Sequence, residues 1–440
     1  MTAEPMSLRG WLQADLGRPA PERPERPTVP RDEPDGVRSS SRTARLDEQD
    51  APLSEQLPVG TALLRVTSES YAGKPNYRLD FHYQGTTVSA NDDEDLLRRR
   101  PPDLGLPRLA ELAVEIGWRA TYRRVKGWWK TEPTLIRWVD WLERAENPKL
   151  VVWDQTAYEI PWELLYRQRI GGAAVMNAAD GTGGWIGAGL PVIRWTTVWN
   201  GVRAGRYDPP RGDCRGGVLV YEDEEFRAEH DGVGRHEVLP RSRRMAELRP
   251  RLEDPYTAFG LLLLRCHGNY SQNPEEFMLG DASLAALSDE WQMPALFETG
   301  AAVLINSCVS ARTAEDHRYN SAVPCTFAEV FLRWGAGAVV ATLAEVSKAD
   351  AHDFAARLLT QAAGGPVNLA EALTENRAYH ARRAEKAVRQ GDTAALAGEE
   401  IDEEIKAFFG GFTYAYFGHP ETTLALEAPS ARACGGGGGA

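Results

Sequence analysis

The sequence predicts an α/β fold with a mainly parallel sheet. From about residue 149 onward, short apolar runs rich in leucine or β-branched residues recur along the chain. Amphipathic helical patterns separate several of these runs, and in one of them Phe327, Val330 and Phe331 share a face. Apolar strands that alternate with helices form parallel sheets covered on both faces. The runs span 149–154, 190–199, 216–223, 260–268, 301–309 and 335–346.

Composition limits the possible partners of this protein. The 440 residues carry a formal net charge of −13, which argues against general binding to nucleic acid or to an anionic membrane. The N-terminus lacks the apolar region of a signal peptide, and no apolar run approaches the roughly 18 residues of a membrane helix. Five widely spaced cysteines show no metal-ligand spacing. We therefore expect a cytoplasmic protein without a metal ion or cofactor.

The chain ends differ in composition from the predicted sheet. Residues 17–57 are dominated by proline, charge and serine, and residues 1–16 are interpreted as a frayed terminus with a short amphipathic helix as the alternative, so residues 1–57 are predicted to be a disordered segment. Residues 429–440 include a run of glycines and predict a flexible tail. Between them, residues 58–134 predict a small α+β accessory module, and residues 135–428 form the main domain.

The accessory module begins with alternating apolar and polar residues over 59–92, which predict an antiparallel sheet or hairpin. Two amphipathic helices are predicted to follow. Their apolar faces comprise Leu109, Leu112, Ile116 and Ala120, then Leu135, Trp138, Val139 and Leu142.

Two predicted strands end in reactive residues. The run 260–268 ends in His267 and Gly268, and the run 301–309 ends in Cys308 and a valine. Functional groups collect at the carboxyl ends of parallel strands, so neighbouring strands would bring His267 and Cys308 to one edge. An imidazole can help a cysteine to form the nucleophilic thiolate. Backbone amides at Gly268 and Cys308 could stabilise an oxyanion.

A purely structural role is the alternative for each residue taken alone. Buried thiols and hydrogen-bonded core histidines are common in proteins. The combination of two strand ends, their order and their spacing favours chemistry instead. Cys266 precedes His267 directly, and because side chains alternate along a strand we expect it to point away and to pack in the core.

These residues resemble a known family. An apolar strand ending in His-Gly, followed by one ending in Ser-Cys, is similar to clan CD cysteine proteases such as caspases and separases. The segments 150–166, 335–354 and 412–426 resemble, in order, three conserved segments of the CHAT domain, a caspase-like cysteine protease of bacteria. The resemblance covers about residues 135–428.

The resemblance implies a caspase–haemoglobinase-like three-layer αβα sandwich and a cysteine endopeptidase. Cys308 would be the nucleophile, His267 the general acid and base, and the amides of Gly268 and Cys308 the oxyanion hole. The family also suggests cleavage of a protein substrate in bacterial defence or cell death, gated by an activating partner or a signal. Many CHAT domains have Trp and Asp at the positions of Ala344 and Glu345, so the pocket wall differs here. The 34-residue repeats that often precede CHAT domains are not found in this sequence.

Four acidic residues are candidates for the substrate pocket. By resemblance to separases, Glu345 and Asp350 would lie near it, and Glu222 and Asp223 end another predicted strand. An acidic pocket would favour Arg or Lys at the substrate position before the cleaved bond. For each residue, a solvated acidic loop is the alternative.

Two other functions remain open. One is a catalytically silent caspase-like interaction or scaffold module. The other is a cysteine acyltransferase or another hydrolase on an unrelated α/β fold.

Overall fold

The computed structural model describes most of the chain between residues 57 and 428. The predicted disordered segment, apart from Leu57, the predicted tail and most of the predicted helix at 135–142 lie outside the described residues. The described ranges are 57–71, 74–83, 86–89, 105–128, 142, 145–156, 159–166, 184–199, 204–206, 211–227, 232–316, 323–392 and 398–428.

A ten-stranded sheet forms the centre of this described part, with the order β3-β2-β1-β4-β5-β10-β9-β8-β7-β6. Neighbouring strands are parallel except for the pairs β1–β2, β2–β3 and β9–β10. The predicted apolar runs contain β4 to β9. The strands are β1 Thr61–Tyr71, β2 Lys74–Tyr83, β3 Thr86–Ser89, β4 Lys149–Asp154, β5 Val192–Trp195, β6 Val218–Glu222, β7 Leu261–Arg265, β8 Ala302–Asn306, β9 Ala338–Thr342 and β10 Tyr414–Gly418.

Every residue of β6, β7, β8, β9 and β10 is buried. Both faces of this part of the sheet are therefore covered, as in parallel sheets flanked by helices. Polar caps begin some of these helices: the Thr326 hydroxyl accepts a hydrogen bond from the amide of Glu329 at the start of α7. The helices are α1 Leu106–Ile116, α2 Trp118–Trp128, α3 Ile186–Gly189, α4 Met245–Glu253, α5 Leu284–Asp289, α6 Pro294–Thr299, α7 Phe327–Arg333, α8 Lys348–Gly364, α9 Leu369–Asp392 and α10 Gly398–Thr413.

Short elements complete the described structure. Three 3₁₀ helices span Trp162–Leu164, Glu224–Phe226 and Gly234–His236. The remaining strands form small sheets and are Thr197–Trp199, Ala204–Arg206, Asp213–Gly216, Gly268–Asn269, Met278–Leu279, Ala282–Ser283, Ala314–Asp316, Val323–Cys325, Val367–Asn368 and Thr423–Leu426. Within the described ranges, no helix has the length and apolar character needed to cross a membrane.

The predicted antiparallel hairpin is confirmed in β1, β2 and β3. Its first strand also pairs in parallel with β4, so that Leu64 lies opposite Val152. One sheet therefore runs through both the predicted accessory module and the predicted main domain, and the boundary between them stays a prediction. The mainly parallel α/β architecture is confirmed.

Candidate active site

The two reactive strand ends lie side by side. Strands β7 and β8 are parallel neighbours, and Arg265 pairs with Asn306 at their carboxyl ends. His267 and Cys308 each follow their paired residue by two positions. The predicted adjacency of these strands is therefore confirmed, and both residues leave the same edge of the sheet.

Gly268 contacts the backbone of Cys308 directly. A Cβ atom on Gly268 would lie 2.0 Å from the carbonyl oxygen of Cys308, far inside van der Waals contact. The sequence assigned this glycine a role through its backbone amide. The structure adds a stronger requirement, because the glycine lets the chain after His267 lie against the residue that carries the thiol.

The backbone amide of Gly268 takes no part in the hydrogen bonds that join the short strand Gly268–Asn269 to the strand Met278–Leu279. Gly268 lies opposite Leu279 in an antiparallel pair, and the carbonyl of His267 accepts a hydrogen bond of 2.8 Å from the amide of Gly280. This pattern makes Gly268 and Leu279 a pair that is not hydrogen-bonded to each other. The Gly268 amide is therefore directed away from the partner strand.

The turn after Cys308 is strained and firmly held. Val309 has a φ of 56°, which is a rare backbone conformation for a β-branched residue. Its amide donates to the carbonyl of Ala344 at 3.2 Å, and the amide of Ala311 donates to the carbonyl of Thr342 at 2.7 Å. Strained backbone that neighbouring strands hold in place is concentrated at functional sites. The strain at Val309 points to Cys308 as the functional cysteine of this edge.

The Cys308 thiol is protonated at neutral pH in this arrangement. It is partly buried and donates to the carbonyl oxygen of Val346 at 3.8 Å. Burial raises the pKa of Cys308, and the negative charge of Glu345 raises it further. A base, or a cationic group placed against Glu345, would be needed to form the thiolate.

The other described cysteines are core residues. Cys214, Cys266 and Cys325 are buried. Burial raises the pKa of Cys214 to about 12 and raises the pKa of Cys266 well above its usual value. The prediction that Cys266 packs in the core is confirmed.

The imidazole of His267 is held by the turn that follows β6. Its Nε2 lies 2.9 Å from a carboxylate oxygen of Glu225. Its ring packs edge-on against Phe226, with the centroids 4.8 Å apart. Its backbone amide donates to Asp223 at 3.4 Å. Glu225 belongs to the acidic run that ends β6, which the sequence suggested for the substrate pocket and not for contact with the histidine.

The two acidic residues predicted at this strand end have different surroundings. Glu222 is fully buried and forms ion pairs with Arg265 at 3.1 Å and Arg241 at 2.9 Å. It therefore stabilises the fold and is not available to a substrate, which corrects its predicted place in the pocket. Asp223 is partly exposed and accepts a hydrogen bond of 2.6 Å from the hydroxyl of Tyr221.

The two acidic residues predicted after β9 also differ. Glu345 is exposed and its charge acts on Cys308, which keeps it a candidate for the pocket. Asp350 accepts a hydrogen bond of 2.7 Å from the hydroxyl of Ser347, and its amide donates to that hydroxyl at 3.0 Å. This reciprocal pair caps helix α8. Asp350 thus has a capping role, and its place in the substrate pocket stays a prediction.

We expect Glu345→Gln to speed the alkylation of Cys308 by iodoacetamide about 3-fold near neutral pH, because removing the charge lowers the thiol pKa and raises the thiolate fraction. The rate is measured by mass spectrometry on the peptide that contains Cys308. Glu298→Gln, on exposed helix α6, is the control and should leave the rate unchanged. A slower or equal rate in Glu345→Gln would contradict the coupling.

Comparison with known protein families gives no matching family model, and comparison with curated proteins gives no match. The described residues hold no group of three or more His, Cys, Asp or Glu side chains arranged for a metal ion. The fold and this edge define a mixed α/β protein with a cysteine and a histidine at the ends of adjacent parallel strands.

Proposed function

We propose that this protein is a cysteine endopeptidase with a caspase–haemoglobinase-like fold, in which Cys308 and His267 form the dyad. The observation that carries the proposal is the placement of both residues at the carboxyl ends of adjacent parallel strands, with Gly268 against the backbone of Cys308. The resemblance to CHAT domains supports the same assignment.

In the proposed reaction His267 accepts the proton of the Cys308 thiol. The thiolate attacks the scissile carbonyl carbon, and the electron pair of the carbonyl π bond moves to its oxygen. The imidazolium then passes its proton to the leaving nitrogen while the C–N bond breaks and the carbonyl re-forms. Water then attacks the thioester carbonyl while His267 takes one of its protons. The C–S bond breaks with its electron pair on sulfur, and His267 returns the proton to the Cys308 thiolate.

The amides of Gly268 and Cys308 would hold the oxyanion of the tetrahedral intermediate. The outward direction of the Gly268 amide and its contact with the Cys308 backbone support this role. Two backbone donors aimed at one developing charge are a strong source of transition-state stabilisation. The proposed chemistry uses side chains and amides of this chain.

Glu345 would favour a substrate with Arg or Lys before the cleaved bond. A basic side chain there would pair with Glu345 and cancel the charge that raises the pKa of Cys308. Substrate binding would in this way promote formation of the thiolate. A wrong substrate would leave the thiol protonated.

The resting state of the dyad supports control by a partner or signal. The thiol donates to Val346, while the imidazole is engaged by Glu225. The thiol must leave the Val346 carbonyl before it can pass its proton to His267, while the imidazole can keep its contact with Glu225. We propose that an activating protein or the protein substrate promotes this release of the thiol, in a defence or cell-death setting inside bacteria.

The same observation favours a second candidate function. A caspase-like module whose cysteine and histidine keep other partners permanently would bind proteins without cleaving them. Turnover that depends on Cys308 distinguishes this scaffold from the protease.

We expect the wild-type protein to cleave members of a peptide library with Arg or Lys before the scissile bond, or a protein encoded beside it. Cys308→Ala should abolish this cleavage, leaving less than about one thousandth of the rate, since the nucleophile is lost. Cys214→Ala is the matched control and should retain cleavage, because that thiol is buried and donates to the carbonyl of Gly300, which precedes the amino end of β8. If every cut made by wild type is also made by Cys308→Ala, the protease proposal fails.

A further inference from the structure

The segment that carries His267 meets two other segments at this edge of the sheet. The 3₁₀ turn after β6 supplies Glu225, whose carboxylate is 2.9 Å from Nε2 of the histidine. Helix α8, which follows β9, supplies Lys348, whose ammonium lies 3.7 Å from the same carboxylate oxygen. The ammonium also donates to the Glu225 carbonyl at 3.1 Å and lies 4.8 Å from the ring centre of Phe226. Lys348 therefore fixes both the side chain and the backbone of the turn that holds the imidazole.

We propose that Glu225 is a positioning residue for His267, held in place by Lys348; this inference rests on the proposed function. A carboxylate at Nε2 accepts a hydrogen bond from the ring and keeps a proton on that nitrogen. The other nitrogen, Nδ1, then carries the exchangeable proton of the reaction. Orientation by a carboxylate is a recurrent way to fix the tautomer and the angle of a catalytic imidazole.

The proton balance of the step follows from this assignment. When the intermediate collapses, the Nδ1 proton moves to the leaving nitrogen, which keeps the electron pair of the broken C–N bond. The imidazole becomes neutral and still donates its Nε2 proton to Glu225. The carboxylate stays ionised throughout and stabilises the imidazolium that precedes collapse.

The charges around the imidazole suit this role. Hydrogen bonding to His267, and then the nearby positive charges, lower the pKa of Glu225, so its carboxylate is ionised at neutral pH. Asp223 accepts a hydrogen bond from the backbone amide of His267, and the ammonium of Lys348 contacts the carboxylate oxygen of Glu225 that bonds to the imidazole. The negative charge of Glu345 acts on the Cys308 thiol, and the contacts described for this edge do not join Glu345 to the imidazole of His267.

The Glu225 contacts contribute little to the stability of the fold. Both the carboxylate and the imidazole are mostly exposed, and ion pairs at exposed positions contribute little to folding stability. Glu225 can therefore be changed without unfolding the protein. Glu224, its exposed neighbour in the same turn, provides a matched control.

The test compares two probes with the same peptidyl-arginine acyl group. One is a 7-amido-4-methylcoumarin, whose amine leaving group needs a proton, and the other is a p-nitrophenyl ester, whose phenolate does not. We expect Glu225→Ala to lower kcat for the amide about 30-fold with little change in KM, and to lower kcat for the ester only about 5-fold, because the ester needs His267 as the base for the thiol but not as the acid for the leaving group. Glu225→Gln should recover part of the amide rate because its amide oxygen still accepts from Nε2. Glu224→Ala should match wild type on both probes.

The outcomes separate this inference from the proposed function. If wild type turns over neither probe, with or without the neighbouring-gene proteins, the protease proposal fails and this inference with it. If wild type cleaves both and Glu225→Ala matches it, only the role of Glu225 is overturned. Equal losses on amide and ester would also overturn it, because a general structural defect does not distinguish leaving groups. Thermal unfolding of each variant should stay at the wild-type temperature.

Discussion

Gly268→Ala is expected to abolish peptide cleavage and to destabilise the fold by about 3 kcal/mol. The added methyl group would lie 2.0 Å from the carbonyl oxygen of Cys308 and 2.7 Å from the hydroxyl oxygen of Ser307. The first of these is a backbone atom and cannot rotate away. Strands β7 and β8 would have to separate at the edge that carries His267 and Cys308.

The measurement is urea-induced unfolding of Gly268→Ala beside cleavage of the coumarin peptide. Gly364→Ala is the matched control, because an added Cβ there meets no atom within 4 Å, and it should change the free energy of unfolding by less than about 1 kcal/mol. Wild-type stability and activity in Gly268→Ala would show that the close approach to Cys308 is not required.

The strand ends were the most predictable part of the site. Apolar runs that stop at a reactive residue identify the carboxyl end of a buried strand, and the length between His267 and Cys308 suits one crossover. Local sequence therefore predicted both residues and their common edge. It did not predict that Gly268 lies on the Cys308 backbone, since that contact depends on how the two loops pack.

The acidic residues show where sequence reasoning fails. Glu222 and Glu225 are three positions apart in one acidic run, yet the first is buried among arginines and the second holds the histidine. Their difference comes from Arg241 and His267, which are distant in sequence. The capping role of Asp350 was open to sequence reasoning, because Ser347 three residues earlier is a capping signal that could have been recognised.

The sequence also did not predict how the N-terminal hairpin joins the main sheet. Alternating residues correctly predicted β1 to β3, because each strand has one face toward a core. Nothing local indicated that β1 would pair in parallel with β4, since this pairing joins residues 88 positions apart, such as Thr61 and Lys149, and depends on tertiary packing. Sequence patterns predict strands and helices more reliably than they predict which strands pair with each other.

Glu222→Gln is expected to destabilise the protein by about 3–5 kcal/mol, because it removes the charge that faces a fully buried arginine. Arg265 and Glu222 are both inaccessible to solvent, and Arg241 bonds to the second carboxylate oxygen. The pair also joins β6 to β7, since Glu222 lies opposite Arg265 in the sheet. Losing the charge therefore weakens the strand pair that carries His267 and the turn of Glu225.

Urea-induced unfolding of Glu222→Gln measures this effect, with Glu253→Gln as the matched control. Glu253 pairs with Arg249 on the exposed surface of α4, so its loss should cost less than about 1 kcal/mol. Each variant removes one negative charge from an ion pair of similar length. The pair of Glu222 is buried, and the pair of Glu253 is exposed. Equal stability changes would mean that Glu222 is not desolvated in solution, and its place in a substrate pocket would then have to be reconsidered. A large difference would show that Glu222 stabilises the fold through its buried charge. Glu225, in the turn after β6, is then the carboxylate that contacts the imidazole of His267.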